Sequence, residues 1–139
     1  MHRLSELAFS MAATLVALTC NDAPTRPQFA DCPGDTVVVE VVSGLAPSFR
    51  WSPTCGMQFL EVYPASGGGA LWTVYGPAGT QNAISSGVLY GRTPSGARTV
   101  AGPVALNSST LYRIRVSRLI CDQGVLCILS DAGSAQFQR

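Results

Sequence analysis

The stretch Leu106–Val116, LNSSTLYRIRV, decides how this chain folds. From Tyr112 to Val116 apolar and basic residues alternate without a break. In an extended strand successive side chains point to opposite faces, so Tyr112, Ile114 and Val116 share one face and Arg113 and Arg115 the other. Two unpaired arginines cannot be buried without a penalty of several kcal/mol, so the Tyr112 face is the inner one. A buried Tyr ring contributes about 2–3 kcal/mol, and its hydroxyl needs a partner. Asn107, Ser108 and Ser109 form a turn immediately upstream. That turn brings backbone near Leu106 within reach of the ring. Arg118 falls on the inner phase, which predicts a bulge or a strand end between Ser117 and Leu119.

The same texture extends outward in both directions. TVVVEVV from Thr36, SFRWS around Trp51, MQFLEVY from Met57 and LWTVY ending at Tyr75 read as short strands separated by Gly and Pro. Residues 76–102 are rich in Gly, Pro, Ser and Thr, with β candidates at Gly87–Arg92 and Ala97–Ala101. VLCILS and SAQFQ close the chain. No sustained helical period follows residue 35. Charged residues make up only 12% of the 139 residues and apolar ones 47%, with 14 Gly and 9 Pro, a balance that suits a compact chain of short strands. The prediction is an all-β antiparallel β-sandwich over residues 36–139.

The Leu106–Val116 stretch resembles the tyrosine corner of fibronectin type III domains, which often reads Leu-x-Pro-x-Thr-x-Tyr-x-Val-x-Val. Leu106, Thr110, Tyr112, Ile114 and Val116 match, and Ser108 stands where the family has Pro. Trp51 is similar to the family's core Trp on its second strand. Leu60 and Val62 match its inward pair on the third. The resemblance implies a fibronectin type III-like (immunoglobulin-like) sandwich with a bond from the Tyr112 hydroxyl to backbone near Leu106. It also implies that the third strand neighbours the Tyr112 strand, which sets Glu61 on the outer face with Arg113 and Arg115.

The N-terminus reads as an export signal over residues 1–19. Arg3 supplies a positive start, weakened by Glu6, and Leu7–Leu18 is an apolar run too short for a bilayer, which needs about 20 such residues. Ala17–Cys20, ALTC, resembles the lipobox of bacterial lipoproteins. That family prefers Leu at the position of Ala17 and Gly, Ala or Ser at that of Thr19. The resemblance implies that Cys20 carries lipid through its thiol and heads the mature chain, tying it to the bacterial cell envelope. Residues 20–35, with Pro24, Pro27 and Pro33, would then be the anchored cysteine and a tether. Five cysteines are present, and an odd count in an exported protein needs a reason. With Cys20 acylated, Cys32, Cys55, Cys121 and Cys127 remain. Three pairings are open; closeness in sequence favours Cys32–Cys55 and Cys121–Cys127. A zinc site lacks both C-x-x-C spacing and a His partner.

Catalysis fails on inventory. The single His, His2, lies inside the signal, and Lys is absent. General acid–base work by His and Ser–His or Cys–His activation are therefore missing from the mature chain. Its acidic residues are dispersed. The expectation is a protein that is not an enzyme and needs no cofactor or metal. A formal net charge of +1 provides no field for nucleic acid. Two surface features stand out as a candidate binding surface: Arg113 and Arg115, suited to an anion or polysaccharide, and the aromatic set Phe59, Tyr63, Trp72 and Tyr75, suited to stacking on sugar rings or to a protein contact. The expected role is an interaction or adhesion module on a lipid anchor. The alternatives are a structural envelope component and a secreted carbohydrate-binding module.

Overall fold

The computed structural model describes Cys32, Gly34 and residues 36–78, 81–122 and 126–139. The expected signal segment, Cys20 and the tether up to Asp31 lie outside the described residues. Within them the chain is all β, with eight strands and no helix. They are β1 (Val38–Val42), β2 (Ser48–Ser52), β3 (Phe59–Pro64), β4 (Trp72–Tyr75), β5 (Val88–Leu89), β6 (Arg98–Ala101), β7 (Tyr112–Asp122) and β8 (Leu126–Phe137). Two antiparallel sheets form, in the orders β1-β2-β5 and β6-β4-β3-β7-β8.

Alternation along each strand builds the core. Phe49 and Trp51 point inward from β2, Leu60 and Val62 from β3, Trp72 and Val74 from β4, and Tyr112, Ile114 and Val116 from β7. The two inner faces meet through aromatic rings: Phe49 lies 6.5 Å from Trp72 and 5.4 Å from Phe137, and Trp72 lies 5.1 Å from Tyr90. The Trp51 indole N–H is not wasted by burial, because it donates to the Cys55 carbonyl at 2.7 Å.

Tyr112 behaves as its alternation predicts. It is buried, and its hydroxyl accepts the Asn107 N–H at 2.7 Å. The Asn107 side chain holds the turn by accepting the Ser109 N–H at 2.9 Å, and Leu106 is buried beside it. Tyr112→Phe keeps the packing and loses this one bond. Because Asn107 itself is exposed, water can replace the partner, and the expected loss is about 1 kcal/mol in urea unfolding. A loss above about 3 kcal/mol would mean that the ring's packing had also changed.

The strand carrying Tyr112 differs from expectation at its far end. β7 neither bulges nor stops after Ser117; it runs on to Asp122. The irregularity lies in its partner. Val116 faces Gly133 and Ser117 faces Asp131, so Ala132 is the extra residue, in β8. VLCILS and SAQFQ are thereby one strand from Leu126 onward, bent at Ala132. At this bulge the Ala132 carbonyl accepts the Val37 N–H at 2.8 Å, which ties the start of the β1 segment to the second sheet. Gly133 permits the approach, since a Cβ there would lie 2.5 Å from the Val37 carbonyl. Arg118 keeps its inner phase without a bulge because the core has ended there. Its Nε donates to the Gly56 carbonyl at 3.1 Å.

Both disulfides form as closeness in sequence favoured, Cys32 with Cys55 and Cys121 with Cys127. The second joins directly opposed residues of β7 and β8.

Candidate functional site

Five of the six sequence-derived surface residues come together on the outer face of the five-stranded sheet. Phe59 and Tyr63 leave β3 on the side away from Leu60 and Val62. Tyr75 on β4 stands opposite Phe59, and Arg113 and Arg115 on β7 stand opposite Tyr63 and Glu61. Trp72 is the correction. It is fully buried, because it pairs with Val62 and shares that residue's inward direction. It belongs to the core and cannot contact a partner.

The rings that do face outward are not an open platform. Phe59 and Tyr75 pack edge to face at 6.0 Å, and the Arg98 guanidinium lies 5.3 Å above the Tyr75 ring. Arg115 lies 5.8 Å above Tyr63. A cation over a ring face is attracted by the ring quadrupole and occupies the surface a sugar would stack on. All three rings are half-buried. Arg115 is committed further: it donates to Glu61 at 2.6 Å and lies 3.5 Å from Asp131. The Glu61 hydrogen bond holds the guanidinium above its ordinary pKa, with smaller help from the charge of Asp131 and against partial desolvation. Arg113 has no carboxylate partner among the described residues. It shares a shallow cleft of about 430 Å³ with Thr36, Tyr63, Arg115, Asp131 and Ser134. Glu61, Arg113 and Arg115 thus share the outer face, and the two arginines are only partly available.

A second feature was not singled out from sequence. Beyond Ser117, β7 loses β3 as a neighbour, yet it remains paired with β8 through five further positions, from Arg118 opposite Ser130 to Asp122 opposite Leu126. The result is a two-stranded arm that runs past the end of β3 by roughly 15 Å at the usual rise per residue, with Gln81 and Asn82 packed along it. The Asn82 side chain braces its base, accepting the Leu119 N–H at 2.8 Å and donating to the Leu119 carbonyl at 2.9 Å, as a neighbouring strand would. The Cys121–Cys127 bond staples the two strands. On the arm Leu126, Ile128 and Leu129 are 68%, 59% and 47% exposed. Leu126 and Ile128 share one face of the arm and Leu129 lies on the other, so both faces present large apolar side chains to solvent, and such exposure marks a contact surface. The signal in the sequence is the run LCIL itself: four consecutive apolar residues leave no polar face, so one side must meet something other than the domain's own core.

No family model, curated protein or solved structure matches the chain. Among the described residues no group of three His, Cys, Asp or Glu could hold a metal ion.

Proposed function

We propose that the chain is a non-enzymatic lipoprotein of the bacterial envelope. In this reading residues 36–139 are a fibronectin type III-like interaction module displayed on a lipid anchor at Cys20. The observation that carries it is the pairing of cysteines: Cys32 bonds Cys55 and Cys121 bonds Cys127. Both bonds need an oxidising compartment, and export provides one. Cys20 is then the odd thiol, placed where an apolar export segment ends.

Three features support the fibronectin-like assignment. The first, second and fifth strands form one sheet, and the third pairs with the strand of Tyr112 in the other. Trp51 fills the core from the second strand. Tyr112 starts its strand with a bond to backbone five residues upstream. β6, paired to β4, is an addition within the irregular 76–102 region. The interaction role rests on the apolar arm, since Tyr63 and Tyr75 lie under Arg115 and Arg98 and Phe59 packs against Tyr75.

Metabolic labelling with a palmitate analogue tests the anchor. Label should enter the wild-type protein, recovered with membranes, and disappear in Cys20→Ala. Equal labelling of both, or recovery of the wild type in the soluble fraction, would contradict it.

A further inference from the structure

The β7–β8 arm and Cys32, the first described residue, lie at the same end of the sandwich. β3 runs antiparallel to β7, with Phe59 opposite Ser117, so the β2–β3 connection holding Cys55 sits at the arm's base. The bond from Arg118 to the Gly56 carbonyl joins the two directly. Cys55 fixes Cys32 there through their disulfide. The opposite end carries the β1–β2 connection with Leu45, since β1 ends where β2 begins.

Eleven residues separate Cys20 from Cys32. At full extension they reach roughly 40 Å. A lipid on Cys20 therefore holds the domain near the bilayer by the end that bears the arm. Between Arg118 at the base and Asp122 opposite Leu126, the arm offers no other charged side chain over 119–121 and 126–130. Exposed Leu and Ile on an arm beside Cys32, where the tether joins the domain, match the chemistry of the lipid interface. A protein groove would need no such placement.

We propose that the arm docks into the membrane to which the chain is anchored, with Leu126, Ile128 and Leu129 entering the boundary between headgroups and acyl chains. The inference rests on the lipid-anchor reading. It makes the domain sit on the bilayer in one orientation, with Leu45 farthest from it, as the second contact that supplements the acyl anchor.

The experiment places a fluorophore at each end of the full processed chain, purified from host membranes and reconstituted into phosphatidylethanolamine–phosphatidylglycerol vesicles with or without brominated phosphatidylcholine. Native Trp51 and Trp72 are buried and supply the background. In Ile128→Trp, and in Leu129→Trp as a second position, the added emission should shift to the blue and be quenched severalfold more in brominated vesicles than that of Leu45→Trp. Co-flotation with the vesicles reports the anchor separately. A chain that floats while Ile128→Trp and Leu129→Trp are quenched no more than Leu45→Trp overturns the docking and leaves the anchor standing. That outcome includes an arm covered by a second copy of the chain. A chain that does not float overturns the anchor reading, and the docking with it.

Discussion

Trp72→Ala should lower the free energy of unfolding by about 3–5 kcal/mol, enough to remove much of the stability of a domain of this size. Trp72 is fully buried between Phe49 and Tyr90, and deleting its ring leaves a void that a close-packed interior cannot fill. Trp72→Phe should be much milder. The indole Nε1 is buried without a hydrogen-bond partner, so the smaller ring loses apolar area but also removes a donor whose burial costs about 1–3 kcal/mol. Urea denaturation separates the two variants by their midpoints. A Trp72→Ala domain within about 0.5 kcal/mol of wild type would be the behaviour of a surface residue, and it would refute the inward direction of β4.

The second large loss is expected at Gly102. Its φ of 73° lies in the left-handed region, and a Cβ there would fall on the Leu71 carbonyl and come within 3.1 Å of the Trp72 Cα. The colliding atoms are backbone and cannot rotate aside. The Leu71 carbonyl is also occupied, accepting the Val104 N–H at 3.0 Å. Left-handed strain of about 1–2 kcal/mol adds to crowding of about 1–3 kcal/mol. Gly102→Ala should therefore cost roughly 2–5 kcal/mol. Gly69→Ala is the matched control: nothing lies within 4 Å of its added Cβ, and its φ is not left-handed. It should stay within about 0.5 kcal/mol of wild type. Equal losses at the two glycines would show that the approach of the β6–β7 connection to β4 is not as described.

Much of this fold was legible where the sequence alternates strictly. LYRIRV needed only its own period to place Tyr112 inside and the arginines outside, and the Asn-Ser-Ser turn gave the hydroxyl its neighbour. Alternation was equally able to exclude Trp72 from the surface set. Trp72 and Tyr75 are three residues apart, an odd separation, so one strand cannot present both on one face. Phe59 and Tyr63, four apart, do share a face. The bulge was less legible because Arg118 signals that the inner phase fails, not which strand absorbs the failure. Ala132 does so in the partner strand, where Gly133 also lets β1 come close. The arm was hidden for another reason. VLCILS reads as a buried strand unless the length of its partner is known, and β7 outruns β3 by five residues only in three dimensions. The binding chemistry was least legible, since a guanidinium over a ring depends on cross-strand register that spacing along one strand does not contain.

A lipid-anchored, oxidised domain requires one partition of the five cysteines: Cys20 to lipid, the other four to two disulfides. Intact-mass analysis of the protein extracted from bacterial membranes, alkylated without prior reduction, tests that partition in one spectrum. The expected species begins at Cys20, carries the added mass of acyl chains there, and takes up no alkylating reagent. A chain that begins elsewhere, or an unacylated Cys20 that is alkylated, would contradict it.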